Sequence, residues 1–340
     1  VKYIVGELQL YSLKDSSRDA VGDAFEIFIG PSLKGAQGQF FTPRNVVNMV
    51  IRMIDPGIDE RILDPACGSG GFLVESLRYV WNKLEEKAAD LGWPESEIEA
   101  EKQRIAIKNL RGIDKDSFLS KVAKAYLAIL GDGRGGIHCE NSLESFRNWS
   151  AKTFEDIQPE SCDVIVTNPP FGKKLSIDST EILELYDLGH RWNSVPGGVF
   201  EKGALADKQP PQLLFIERCF QMLRPGGRMG IVLLESIFGM PKYQYVVNYI
   251  RLQAKINAIV TLPEDLFQPH THAKCCVLIC QKYKKNESYS SCDNYDIFMS
   301  DVKWCGHDSR GNITYSYTST GEKVVLDEIP LVADRYLEMR

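Results

Sequence analysis

The chain has 340 residues, 44% of them hydrophobic and 25% charged, with a formal net charge of −6. This is the composition of a folded α/β domain with appendages, and no apolar run approaches the ~20 residues that cross a bilayer. The acidic balance argues against a self-sufficient nucleic-acid binder, so a DNA substrate would need another subunit or domain for much of the phosphate grip.

The start, Val1-Lys2-Tyr3-Ile4, lacks the apolar core and cleavage site of a signal peptide. Val rather than Met at position 1 suggests a piece of a longer chain. The nine cysteines contain no Cys-x-x-Cys pair and no zinc-ligand spacing with His, so no metal is expected. Several lie in apolar runs, where a free thiol behaves as a small hydrophobe, and a reducing cytoplasm is the expected setting.

Residues 18–33 carry apolar positions at helical spacing and stop at Gly30-Pro31, which predicts the end of a helical region over 1–34. Then comes Gly38-Gln39-Phe40-Phe41-Thr42-Pro43. Thr42 is placed as an N-cap with Pro43 at the first position of a helix through Val46, Val47, Val50, Ile51 and Ile54. A good helix start is enough to account for Thr42-Pro43. The glycine approach and the paired Phe40-Phe41 are less ordinary outside a ligand site.

Arg61-Ile62-Leu63-Asp64 reads as a short strand that enters a helix through Pro65-Ala66-Cys67-Gly68-Ser69-Gly70-Gly71. Glycines at a strand-to-helix turn let the backbone approach a ligand closely. The spacing is not G-x-G-x-x-G and no Gly-Lys-Ser/Thr follows, so neither a dinucleotide nor a nucleotide-triphosphate cradle is indicated. The turn instead has room for the amino-acid end of S-adenosylmethionine, with Asp64 near its ammonium.

Residues 79–108 read as two amphipathic helices broken at Gly92-Trp93-Pro94. Arg111-Gly112-Ile113-Asp114 repeats the strand-then-acid arrangement, and an acid at the end of a second strand suits ribose hydroxyls. Asp116 is read as the cap of a helix running to Leu130. A third strand leads to Asn141 and Ser142, where Asn141 is read either as a contact to the adenine amine of the cofactor or as a turn residue.

The β-branched run Cys162-Asp163-Val164-Ile165-Val166 predicts a buried parallel strand, followed by Thr167-Asn168-Pro169-Pro170-Phe171-Gly172. Two prolines stiffen the backbone after Asn168 at the edge where open α/β sheets hold ligands. Such a tetrad suits methylation of an exocyclic base amine, whose lone pair is delocalised into the ring. Acceptors on its two N–H groups, the Asn168 side-chain oxygen and the Pro169 carbonyl, would carry the developing positive charge. Phe171 would stack on the base, which must leave the duplex to be reached. Taken by itself, the tetrapeptide is equally readable as a rigid turn with a core Phe behind it.

Residues 173–211 lack periodicity and read as a loop, a candidate substrate-contacting flap. A helix over 212–223, a strand over 229–234, a helix over 242–254 and strands over 256–262 and 273–282 follow. The last two strands have no helix between them and should pair antiparallel. Phe267 in their connection is a candidate for covering the other face of a flipped base, and His270 with His272 makes a poor metal pair. Residues 284–340 carry strand-like runs at 295–299 and 313–318 and no readable motif.

In this order, the motifs at 38–43, 64–73, 113–114 and 168–171 resemble the γ-type N6-adenine DNA methyltransferases, above all the modification subunit of type I restriction-modification systems. The resemblance covers roughly residues 20–283. It implies a class I S-adenosylmethionine-dependent methyltransferase fold, α/β with a seven-stranded, mostly parallel sheet and an antiparallel last strand. The domains implied are a helical end over 1–34, a catalytic domain over 35–283 and an extension over 284–340. S-adenosylmethionine would be the donor and adenine in double-stranded DNA the acceptor. The partners would be a specificity subunit, a second modification subunit and a restriction subunit.

Carried over residue by residue, Gly38, Gln39, Phe40, Phe41, Thr42 and Pro43 would line the methionine side of the donor. Asp64, Ala66, Gly68, Ser69, Gly70 and Gly71 would form the glycine turn, Asp114 would take the ribose, and Asn141 with Ser142 would meet the adenine ring. Asn168, Pro169, Pro170 and Phe171 would take the target base. Family members often have Asp where this chain has Asn141. The competing functions are an amine methyltransferase acting on RNA guanine or protein glutamine, and a non-catalytic scaffold. The Phe-Phe-Thr-Pro element favours DNA, an intact tetrad argues against a scaffold, and the lack of a Pro-Cys dipeptide argues against cytosine-C5 chemistry.

Overall fold

Short β-branched runs that are apolar on both faces need helices above and below them, and this requirement sets the architecture. The computed structural model describes residues 42–130, 136–172, 175–197, 199–269, 271–291, 295–318 and 320–340. The strands in chain order are β1 (Ile62–Asp64), β2 (Leu110–Asp114), β3 (Ile137–Cys139), β4 (Cys162–Thr167), β5 (His190–Val195), β6 (Val199–Leu205), β7 (Leu223–Leu234), β8 (Ala254–Thr261), β9 (Cys275–Lys282), β10 (Phe298–Asp301), β11 (Tyr315–Tyr317) and β12 (Lys323–Val325). One sheet has the order β10-β8-β9-β7-β4-β1-β2-β3, while β5-β6 and β11-β12 are separate hairpins.

Within the main sheet every pairing is parallel except those of β9, which runs antiparallel to both β7 and β8. The expected seven strands with an antiparallel seventh are therefore present. An eighth, β10, pairs parallel with β8 (Phe298↔Ala258). Local periodicity identifies such a strand but not the sheet edge it joins.

Period-two alternation along the strands divides the core into two clusters. Ile62, Val164, Val166, Val232, Val260 and Val277 face one side, with α1 (Arg44–Ile54), α2 (Gly71–Leu91), α3 (Glu95–Asn109) and α4 (Ser117–Leu130). Leu63, Ile165, Ile231 and Leu278 face the other, against the segment around α5 (Ala151–Asp156) and, beyond the short α6 (Thr180–Leu183), against α7 (Pro211–Met222). The short α8 (Ser236–Gly239) and α9 (Gln244–Gln253) complete that side. The last helix, α10 (Ile329–Met339), packs on α1 and places Val332, Ala333 and Tyr336 in the first cluster.

Two regions depart from the sequence expectation. Residues 175–209 carry α6 and the β5–β6 hairpin instead of a plain loop. Its alternating pattern escapes notice because one strand face is solvated and neither strand enters the main sheet. Arg224-Pro225-Gly226-Gly227, left between the expected helix over 212–223 and strand over 229–234, lies inside β7 as a register slip, with Cys162 opposite Leu223 and Val164 opposite Arg228, and Gly226 at φ +80°. The predicted helix over 18–33 lies outside the described residues.

Gly230 of β7 lets α1 lie directly on the sheet, since a Cβ there would stand 2.6 Å from Val50 Cγ1 and 3.1 Å from Ile54 Cγ1. Gly230→Ala is expected to destabilise the fold by ~1–3 kcal/mol through overpacking. Denaturant titration measures it, and an unchanged midpoint would show that α1 does not press on this strand.

Candidate active site

The chain runs from β1 outward to β2 and β3, then returns to β4 on the other side of β1. That reversal opens a crevice at the carboxyl ends of β1 and β4, the usual ligand position in such sheets. Asp64 ends β1, Asp114 ends β2, residues 140–142 follow β3, and Asn168 follows β4.

The turn after β1 is built on two buried carboxylates. Asp64 Oδ1 accepts the Ala66 amide at 3.0 Å. Asp114 Oδ2 accepts the Gly68 amide at 2.9 Å, and its Oδ1 accepts Asp116 N–H at 2.8 Å. Asp114 thus shapes the glycine turn directly, and its oxygens keep lone pairs for further donors. The turn holds Gly68 at φ +54° and Gly70 at φ +92°, the left-handed region that favours glycine. Added Cβ atoms at Gly68 and Gly71 would meet nothing within 4 Å, whereas one at Gly70 would touch Ala123 Cβ at 3.3 Å. Gly71 opens the 21-residue α2 with no side chain capping it, so first-turn N–H groups point at whatever enters.

Burial is the main reason both carboxyls titrate high. Asp64 is 1% exposed, and its pKa is pushed up to about 7 by burial, with nearby Asp114 adding to the rise. Asp114 moves up too, from burial first, held back by the amides of Asp116 and Gly68. As read from sequence, Asp116 caps α4 by accepting from Phe118 N and Leu119 N at 2.8 and 3.1 Å.

After β3, Asn141 forms a local turn: its Oδ1 accepts Leu143 N at 3.1 Å and its Nδ2 donates to Glu144 Oε1 at 3.2 Å. The buried Ser142 hydroxyl donates to the Pro65 carbonyl and ties this loop to the glycine turn. Both side chains are committed within the protein. Arg218, which sequence reasoning missed, secures the same loop. It is 1% exposed, donates to the Glu144 carbonyl at 2.7 Å and to Tyr186 Oη at 2.8 Å, and lies 4.3 Å from the Phe146 ring centre. Nothing local in sequence joins residues 144, 186 and 218.

At β4 the Asn168 amide nitrogen donates to Thr42 Oγ1 at 2.9 Å. Its Oδ1 is buried and has no hydrogen-bond partner among the described residues. Thr42 was expected to cap α1, but the helix begins one residue later, at Arg44 behind Pro43, with no side-chain cap. The hydroxyl serves Asn168 instead, because Pro43 carries the first carbonyl of the helix, accepting Val46 N and Val47 N at 3.0 and 3.1 Å. Phe171 is 4% exposed and packs edge-to-face on Phe267, with ring centres 5.6 Å apart. The two rings touch each other and do not form an open slot. Gly38, Gln39, Phe40, Phe41 and His270 lie outside the described residues.

Residues 16–312 match the family described as N-6 DNA methylase. The EcoEI type I restriction enzyme methylase subunit of Escherichia coli is 24% identical over 97% of this chain and 63% of its own length. This chain covers 44% and 42% of two further methylase subunits. Two solved structures share the fold. The type I restriction-modification methyltransferase subunit of Streptococcus thermophilus has a TM-score of 0.65 at 16% identity, covering 99% of this chain and 61% of that one. A Listeria monocytogenes protein described as a class I S-adenosylmethionine-dependent methyltransferase has a TM-score of 0.58 at 20% identity, covering 86% of this chain and 76% of that one.

Asp64 gives a pH signature. Its folded pKa of about 7 lies above the unfolded ~3.9, so the folded state keeps a proton that the unfolded chain has released. The contribution to stability is full below pH ~4 and is lost as pH rises towards 7. Asp64→Asn, which keeps the oxygen facing Ala66 N–H, is expected to flatten this decline. Denaturation midpoints at pH 5 and pH 7.5 measure it, and equal slopes for wild type and variant would remove Asp64 as the cause.

Proposed function

The chain belongs to the N-6 DNA methylase family, and from that premise we propose that it methylates the N6 amine of an adenine turned out of double-stranded DNA, as the modification subunit of a type I restriction-modification system. The observation that carries this reading is the Asn168 amide, whose nitrogen is tied to Thr42 while its oxygen is buried and, among the described residues, has no hydrogen-bond partner. A buried acceptor left unpaired costs ~1–3 kcal/mol, and a substrate N–H is what would satisfy it.

The class I S-adenosylmethionine-dependent methyltransferase fold supports S-adenosylmethionine as donor. The turn fits such a ligand: open space beside Gly68 and Gly71, an uncapped helix start, and two carboxyls behind the loop. Ser69, Gly70 and Gly71 would hold its methionine end, Asp114 its ribose, and the loop of Asn141 and Ser142 would border its adenine. When bound, the donor supplies an electrophilic methyl group. Asn168 Oδ1 and the Pro169 carbonyl accept the two N–H groups of the target amine and stabilise the charge that grows on nitrogen. Pro169 and Pro170 keep that backbone from relaxing. Phe171 stacks on the base once its contact with Phe267 parts.

The proposed catalytic unit is 35–283 with an extension over 284–340. A net charge of −6 supports a division of labour in which a specificity subunit, with a second modification subunit, holds the DNA, and a restriction subunit completes the complex. Among the described residues no helix is long and apolar enough to cross a membrane, and the proposed setting is the cytoplasm.

Asn168→Ala is expected to leave the donor's affinity nearly intact and to lower methyl transfer by orders of magnitude, since it removes a contact made in the transition state. Calorimetry beside tritium transfer to DNA reads both, and unchanged turnover would remove the assignment. Asp114→Ala should weaken donor binding by ~1–3 kcal/mol, and an affinity equal to wild type would refute the ribose role.

A further inference from the structure

We propose that Gln212 is a positioning residue: it takes the last inward N–H of β7 and thereby keeps the Pro169 carbonyl free for the target amine. This rests on the methyl-transfer reading above and concerns how one of its two acceptors stays available.

Strands β4 and β7 pair in parallel up to Thr167 opposite Ile231. Backbone N–H groups of a central strand point by turns to its two neighbours. Glu235 N–H points to the β9 side, donating to the Lys274 carbonyl at 3.0 Å. The N–H of Leu234, one residue earlier, therefore points to the β4 side. Continued at the same register, a parallel ladder would hand that N–H to the Pro169 carbonyl. It goes to Gln212 Oε1 instead, at 3.2 Å. None of the backbone hydrogen bonds among the described residues ends on the Pro169 carbonyl.

Gln212 lies in the first turn of α7, behind Pro210 and Pro211, and its bond to Leu234 places it at the carboxyl end of β7, beside the tetrad. It is 2% exposed. A backbone N–H can only donate, so Oε1 and not Nε2 must face Leu234. Nε2 is buried and has no hydrogen-bond partner among the described residues, which leaves Leu234 as the contact on which the amide's placement depends. A carbonyl that already accepts a strand N–H is turned to the ladder and has given up part of its accepting capacity. With Gln212 in place, the Pro169 oxygen keeps that capacity for an amine whose nitrogen gains positive charge.

The test uses the full chain with its partner subunits on double-stranded DNA and compares wild type with Gln212→Met, Gln212→Asn and Gln212→Glu. Gln212→Met keeps the length and removes the acceptor, and Gln212→Asn falls one methylene short of Leu234. Gln212→Glu keeps an oxygen in place in either protonation state. At saturating S-adenosylmethionine, Gln212→Met and Gln212→Asn should each lower the single-turnover rate roughly 10- to 100-fold, as a weakened transition-state contact does. Calorimetric affinity for the donor should stay close to wild type, and Gln212→Glu should retain most of the rate. If Gln212→Met does not fold, Gln212→Asn decides. Structural support alone would not move the Pro169 carbonyl carbon, which is read in protein labelled with 13C,15N-proline through its coupling to the Pro170 nitrogen. That signal should shift in Gln212→Met and Gln212→Asn, as the carbonyl takes the Leu234 N–H, and hold its place in Gln212→Glu. An unchanged rate, a loss confined to donor affinity, a Gln212→Glu as slow as Gln212→Asn, or an unmoved carbonyl signal would overturn the proposal. If wild type transfers no methyl to any amine, the methyl-transfer reading fails. The carbonyl signal then decides the role of Gln212 by itself: a shift sustains it and an unmoved signal ends it.

Discussion

A hydrogen bond from the Asn168 amide nitrogen to the Thr42 hydroxyl joins the end of a central strand to the start of the helix laid across it. The proposed site depends on this contact, because an amide that is to meet a substrate must be held in place. Two prolines stiffen the backbone behind Asn168, and Thr42 holds the side chain in front of it.

The contact in turn needs α1 to be placed firmly, and several features do this. Gly230 removes a side chain from β7 so that Val50 and Ile54 settle on the sheet. Arg228 donates to the Ile54 carbonyl at 3.0 Å at the helix's carboxyl end and pairs through two nitrogens with Glu60, at 2.9 and 2.6 Å. Residues near the carboxyl end of the chain close over the same helix. Asn45 donates to Asp327 at 2.9 Å, Arg52 pairs with Asp334, and α10 lies against α1. The segment that carried no motif thus supports the helix that follows Thr42.

Across the crevice, the glycine turn is organised by carboxylates instead of by a cap. Asp64 and Asp114 accept backbone amides of the turn and are buried, and burial is the largest reason each resists ionisation. A donor with a positive sulfonium and ammonium would favour their charged forms, which links electrostatics to occupancy of the site. The Arg218 guanidinium extends the same support to the loop after β3. It is held by carbonyls and aromatic faces and bridges that loop to Tyr186, ahead of the β5–β6 hairpin.

By itself the sequence determined the strand-and-turn framework. β-branched runs dictate buried strands, glycines mark the turn after Asp64, and the helix-free link before Cys275 dictates an antiparallel partner for β8. Proline and glycine act on their own backbone, so their effects are local and can be read in order. Tertiary structure alone decided what the side chains do with one another. Thr42 has the local signature of a helix cap, yet its hydroxyl goes to a residue 126 positions away. Phe171 and Phe267 each read as a wall for a base, yet they pack against each other. Strand β10 finds its place only once the edge of β8 exists. A side-chain hydrogen bond, a ring contact and a sheet edge are each completed by a second group distant in sequence, and only the fold specifies which group that is.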